Sequence, residues 1–338
     1  MSPQPATLPG FGVQRLARLV RESTHRMAID LDGVDVLTEA ASGAYVVTPV
    51  IAALAGATVT AVTKSSRYGS AEEITAQTTE LATLLGVSDR IRILTERTPA
   101  LFAEADLITN SGHLRPIVGE FAEAIRPGAA LSLMFETWEI DAGRVDLDLD
   151  GIRSRGVRIA GTNERHPHVD VFSYLGSMAV AELADAGIPA YRGRIGVLCD
   201  NPFEDYLVSG LQSAGASVAV APTLEGLSIA EVDAVLVSLT PTGGSVLSDA
   251  DLARIAAERP DLVVVQYWGD VSREDAAAHG VQVWPAQAPG AGHMAVLPSK
   301  AGPDAIVRLQ AGGLKVGELL LRSPEDVTAE EREYIDEL

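Results

Sequence analysis

The chain has 338 residues, of which 47 % are hydrophobic and 5 % aromatic, with a single cysteine and a net charge of −20. That length needs two cores rather than one, and the acidity excludes nucleic acid and anionic membranes as partners, because both would repel it. Cys199 alone permits no internal disulfide and no cysteine-built metal cluster. With no basic leader and no apolar run near ~18 residues, the chain reads as cytoplasmic.

Residues 1–33 hold one amphipathic helix, over 13–21, after a Pro-rich start. From 34 onward the strand candidates are VDVLTEA, TVTAVTK, RIRILTE, ADLITNS, AALSLMF and VRIAGTN, separated by TPVIAALAG, AEEITAQTTELATLLG and GEFAEAIRPG, which repeat at helical spacing. Thr48 and Pro49 have the form of a helix N-cap and first-turn proline. A mostly apolar helix follows over 169–187 and reads as a connector between domains. The pattern then restarts with RIGVLCD, EDYLVSGLQSAG, SVAVAP, VDAVLVSLT, SDADLARIAAER, DLVVVQYWG, REDAAAHG and VQVWPA. A final helix over 303–321 is long enough to cross back to the first domain, and an acidic tail ends the chain.

Strands alternating with helices imply parallel sheets with right-handed crossovers. The expectation is an α/β protein of two Rossmann-like, doubly wound domains in tandem. Its parts are an N-terminal helical segment over 1–33, a first domain over 34–168 and a connector over 169–190. A second domain over 191–300 and a crossing helix with its tail over 301–338 complete the chain.

The stretch VDAVLVSLTPTGGSVLSDADLARIAAERPDLVVVQYWGDVSREDAAAHG resembles the coenzyme domain of the D-2-hydroxyacid dehydrogenases, in a likeness that covers about a third of the chain. In that family a strand ends in a Thr/Pro-rich loop, and a helix, a hydrophobic strand and a polar turn follow. The next segment, VWPAQAPGAGHM, is similar to the family's last strand and the loop bearing a catalytic histidine, so the resemblance implies His293 as acid/base. Where the family has a glycine-rich turn, this sequence has Asp200-Asn201-Pro202-Phe203-Glu204-Asp205. Carboxylates at a helix N-terminus repel a pyrophosphate, so the second domain keeps the outline without the coenzyme.

The first domain resembles class I methyltransferases in LLGVSDRIRILTE, ADLITNSG and AIRPGAALSLMF. After its second strand, however, Thr63-Lys64 stands where that family has an acid for the adenosine ribose.

Ligands of such sheets lie at the carboxyl ends of the strands. The turn Lys64-Ser65-Ser66-Arg67-Tyr68 follows the second strand. A basic, hydroxyl-rich turn there suits a 2′-phosphate through charge-assisted hydrogen bonds, which favours NADP. Ser42 and Gly43 form the matching first turn, with a helix start near Thr48. Asn110 and Ser111 end the fourth strand on the nicotinamide side, where His113 has the chemistry to polarise a carbonyl. Thr162 to Asp170 is the most unusual cluster: His166 and His168 with Glu164 or Asp170 admit a carboxylate-oriented acid/base or a zinc site, and acid/base is preferred. The competing account is a loop whose Asp170 caps the next helix. No residue is assigned to a metal. Glu136, Trp138 and Glu139, the segment from Gln266 to Asp270 and the glycine-flanked His293 loop are expected to border the same cleft.

The function expected is a divergent NAD(P)-dependent oxidoreductase, NADP-preferring, acting on a small polar metabolite between the domains, in a homodimer. A methyltransferase-like group-transfer enzyme and a non-catalytic nucleotide or metabolite sensor are the alternatives.

Overall fold

A computed structural model describes residues 8–141 and 146–338. The chain divides into two compact units, one made of residues up to Val171 together with Gly302–Leu338, the other of Phe172–Ala301.

In the first unit the parallel strands are β1 (Asp35–Glu39), β2 (Thr58–Val62), β3 (Ile91–Leu94), β4 (Leu107–Thr109), β5 (Ala130–Ser132) and β6 (Arg158–Thr162). They lie in the order β6-β5-β4-β1-β2-β3, and the two-residue strand Ile335–Asp336 pairs antiparallel with β6. Read from the other edge this is 3-2-1-4-5-6, the order of a dinucleotide-type doubly wound sheet. Both faces are buried, as parallel sheets require. Val36, Leu107 and Ala130 point to a core shared with the helices Val13–Arg26, Val47–Leu54 and Asp304–Leu321. Their neighbours Leu37, Ile108 and Leu131 point to the opposite core, with Phe102, Ile125 and Ile152. Successive residues of a strand face opposite ways, so an apolar run fills two cores at once.

The helix Asp304–Leu321 packs on β4, β5 and β6 and belongs to the first unit. Its glycines explain how closely it lies: a Cβ at Gly317 would overlap Leu107, and one at Gly313 would overlap Met134. The same helix buries a charge, Lys315, whose Nζ donates to the Glu318 carboxylate at 2.9 Å and to the Ala28 carbonyl at 3.2 Å. A buried ammonium is tolerable only with such partners.

Two expectations need correction. Thr48 is not a helix cap. A 3-10 turn over Gly43–Val46 runs straight into the helix Val47–Leu54, whose cap position is Val46. Thr48 lies inside this helix, fully buried, its hydroxyl donating to Gln310 Oε1 at 2.8 Å. It is therefore a core residue and is withdrawn from the coenzyme contacts. The helix expected over 169–187 as a connector spans Leu175–Asp185 and is part of the second unit. Asp170, in the left-handed region at φ 46°, and a 3-10 turn over Phe172–Tyr174 precede it.

The second unit's sheet contains β7 (Arg194–Cys199), β8 (Ser217–Ala221), β9 (Ala234–Ser238), β10 (Val263–Trp268) and β11 (Gln282–Trp284), all parallel, ordered β11-β10-β9-β7-β8. Numbered within the unit this is 2-1-3-4-5, the flavodoxin-like order. Its helices Leu175–Asp185 and Glu204–Ser213 touch through Gly176 and Gly210, where a Cβ on either would meet the other's backbone.

Candidate functional site

A doubly wound sheet opens a crevice where its strand order reverses, at the carboxyl ends of the two central strands. In the first unit these are β1 and β4, in register with Leu37 opposite Ile108. One residue on, the Thr38 and Thr109 hydroxyls meet at 2.8 Å, and Thr109 continues to Ser111 Oγ at 2.7 Å. The alternation then brings Glu39 and Asn110 to the other face, at the mouth.

Glu39 is buried, and its Oε2 accepts the His113 backbone N–H at 2.7 Å. Asn110, only 2 % exposed, accepts the Met134 N–H on its Oδ1 at 2.9 Å. Its Nδ2 donor finds no partner among the described residues, and neither do the buried His113 Nε2 and Arg115 Nε. Arg115 is held from its other side by Asp146, Nη1 to Oδ2 at 2.8 Å. An unpaired buried polar atom costs about 1–3 kcal/mol, and three such atoms fall within residues 110–115. Burial holds the His113 imidazole below its ordinary pKa; the Glu39 charge opposes this, and the Lys64 charge adds to it. The ring is thus neutral near pH 7, with one nitrogen to give or take a proton.

The first turn supplies Ser42 and Gly43. Gly43 has φ 68°, a left-handed conformation that glycine adopts at little cost, and Ser42 does not cap the 3-10 turn that follows. At the end of β2 the segment from Lys64 to Tyr68 is exposed. Ser65 Oγ accepts the Ala71 N–H and Ser66 Oγ the Tyr68 N–H, which fixes the turn. The Arg67 guanidinium lies over the Tyr68 ring, 4.7 Å from its centroid.

The histidine cluster packs against the C-terminal segment. His166 stacks on Tyr334 with ring centroids 3.8 Å apart, and His168 Nδ1 lies 2.5 Å from the Tyr334 hydroxyl. Asn163 Nδ2 donates to the Glu333 carbonyl and Thr137 Oγ1 to the Asp336 carboxylate, both at 2.8 Å. Asp170 reaches Arg308 at 3.4 Å, and the Glu164 N–H donates to Glu136. Glu136, also buried, accepts from Arg165 at 2.6 Å and from Trp138 Nε1 at 2.9 Å. His166, His168, Glu164 and Asp170, expected as acid/base residues, thus lie beside β6, near the edge of the sheet rather than at the β1–β4 mouth; the two histidines contact Tyr334 of the C-terminal segment, and Asp170 reaches the C-terminal helix through Arg308. Tyr334 is more than 160 residues away in sequence, so local reading had no sign of it. Burial, reinforced by the neighbouring His168, lowers the His166 pKa.

The second unit's crevice, between β7 and β9, is bridged by its own side chains. Asp200 Oδ1 accepts from Thr240 N at 2.8 Å and Oγ1 at 3.0 Å, and Asn201 Nδ2 donates to the Ser238 carbonyl at 2.7 Å. Phe203 packs on Trp268 at 5.3 Å. His293 is exposed in this unit, its Nδ1 3.0 Å from the Ala291 carbonyl.

No protein-family model and no curated protein matches the chain. Solved structures do match it. A dipicolinate synthase component from Bacillus halodurans superposes with a TM-score of 0.52 at 12 % identity, over 87 % of this chain and 100 % of that one. Its counterpart in the dipicolinate synthase of Bacillus subtilis gives 0.53 at 9 % identity, over 87 % and 97 %. The pyruvate reductase of Chlamydomonas reinhardtii gives 0.50 at 10 % identity, over 86 % and 97 %. The chain shares their tandem Rossmann-like fold. The expectation of two Rossmann-like domains in tandem is therefore met at the level of fold. No helix among the described residues is long and apolar enough to cross a membrane.

Of the residues at the β1–β4 mouth, sequence reading found Asn110, Ser111 and His113 but missed Glu39 and Arg115. The available signal for Glu39 was a lone carboxylate closing an otherwise buried strand.

Proposed function

We infer that the protein is an oxidoreductase that carries a nicotinamide dinucleotide on its first unit, with a preference for NADP. The supporting observation is the exposed Lys64–Arg67 turn at the end of β2 in a sheet ordered 3-2-1-4-5-6. In that order the ends of β1 and β2 are adjacent, and the β2 turn is the one that meets the adenosine ribose. Lys64 and Arg67, with the Ser65 and Ser66 hydroxyls, suit a 2′-phosphate there. Ser42 and the left-handed Gly43 suit the diphosphate, and Asn110 and Ser111 would face the nicotinamide side. The second unit does not fit the group, because Asp200 and Asn201 already bridge its crevice.

A bound nicotinamide coenzyme supplies hydride chemistry. The chain's own part is to hold a small polar substrate at the β1–β4 mouth and to exchange a proton at His113 Nε2, which a neutral imidazole does near pH 7. The structural neighbours include a reductase, in keeping with this class of reaction. Calorimetry of the full chain with NADPH, NADH and S-adenosylmethionine tests the reading. NADPH should bind tightest; tight S-adenosylmethionine binding without NADPH binding overturns it in favour of group transfer, and binding of none of the three favours a sensor.

A further inference from the structure

The β1–β4 mouth carries opposite charges around one residue without a side chain. Gly112 is exposed, and a Cβ built on it would lie 3.3 Å from Glu39 Oε2 and 3.9 Å from Arg115 Nη2. A carboxylate and a guanidinium thus both lie within 4 Å of the position a side chain would take on this exposed residue. On the same segment, the Asn110 Nδ2, His113 Nε2 and Arg115 Nε atoms have no partner among the described residues. A simple anion would find Arg115 and Asn110 but be repelled by Glu39. A simple cation would find Glu39 but be repelled by Arg115 and, at longer range, by Lys64. Only a molecule with both charges close together meets every group with its complement.

The geometry points to an α-amino acid, bound as its zwitterion with its ammonium facing Glu39 and its carboxylate facing Arg115 and Asn110, as the substrate class of this site. Arg115 suits the carboxylate because a guanidinium offers a fork of parallel donors, of which Asp146 occupies only Nη1. The inference rests on reading the β1–β4 mouth as a substrate site, and it stands apart from the choice of coenzyme.

The test uses the full chain with its histidine rings isotope-labelled, titrated in turn with each of the twenty L-amino acids, with pyruvate and with ethylamine, while the His113 ring resonances are followed by NMR. At least one amino acid should shift them saturably. Pyruvate and ethylamine, which each carry one of the two charges of L-alanine, should bind at least tenfold more weakly than the best amino acid. Glu39→Gln should lower that amino acid's affinity by about tenfold or more, the usual loss for one charge-assisted hydrogen bond. Should Glu39→Gln fail to fold, Gly112→Ala serves instead. It adds one methyl 3.3 Å from Glu39 Oε2, at a backbone conformation open to alanine, and should cause a comparable loss while the chain stays folded. The proposal is overturned if none of the twenty moves His113, if pyruvate binds as tightly as the best amino acid, or if folded Glu39→Gln or Gly112→Ala keeps full affinity. NADPH calorimetry on the same sample separates the two readings. Amino-acid binding without NADPH binding upholds this inference and sinks the coenzyme; the reverse does the opposite.

Discussion

The two units are built from the same strand–turn–helix parts, yet the ends of their central strands differ in degree: the second unit bridges its first turn to β9 and leaves Ser238 Oγ there without a partner among the described residues. In the second unit, Asp200 and Asn201 direct their hydrogen bonds to Thr240, Phe203 and Ser238, which ties the first turn to the end of β9. In the first, Asn110, His113 and Arg115 each keep a buried polar atom with no partner among the described residues, beside the buried Glu39. The difference teaches that a crevice at a switch point is a property of topology, whereas a site is a property of what the side chains leave undone. A polar group satisfied internally adds stability, and one left unsatisfied lowers it.

The contrast can be broken at several points. The largest effect is expected at the Gly176–Gly210 contact, where Gly176→Ala forces a methyl against backbone. It should destabilise the second unit by roughly 3 kcal/mol, the upper end for overpacking, and calorimetry should show the first unit's transition unmoved, since each has its own core.

Acidity separates the units by sign. Burial, with help from the Asp185 charge, raises the Glu182 carboxyl to about 7 from an ordinary 4.5. The folded second unit thus holds a proton that the unfolded chain has lost, and its stability is full below pH 4.5 and falls as pH rises through 7. A tenfold change in proton affinity is worth about 1.4 kcal/mol, so the loss is on the order of 3 kcal/mol, and Glu182→Gln should abolish it. His166 behaves in reverse: its folded pKa lies below the ordinary 6.5, so stability is full above pH 6.5 and falls as pH drops through the folded value. Hydrogen exchange of residues 328–337 between pH 7.5 and 5 should report loosening of the C-terminal segment. Retention of full protection, or equal loosening in His166→Phe, would rule His166 out as the cause.

Asp200→Ala removes the acceptor of two Thr240 donors and should cost about 1–2 kcal/mol. The second unit should still bind no NADPH; acquired binding would show that the acidic turn was the only barrier. The smallest change is at the β2 turn, where Arg67→Ala should weaken NADPH by about tenfold, near 1.4 kcal/mol, and leave NADH unchanged. Equal losses for both would remove the 2′-phosphate role.

Much of the architecture was legible because hydrophobic periodicity is a local signal. The alternation of RIGVLCD, SVAVA and VDAVLVS with helical stretches marks parallel strands whatever their neighbours. The basic turn after β2 was legible too, since its place in the chain fixes its place at a strand end. The histidine cluster shows the limit. His166 and His168 meet Tyr334 of the C-terminal segment, a contact that no local pattern encodes.

The sequence by itself determined the two α/β halves, the acidity and the missing glycine loops, because composition, period and turn chemistry act between near neighbours. The strand orders, and hence which residues share a crevice, were decided only in three dimensions. Glu39 and Asn110 are far apart in the chain and become neighbours because β4 pairs with β1 rather than with β3. Thr48 became core and Glu39 became mouth for the same physical reason: long-range packing, not residue type, sets which polar groups find partners inside the protein.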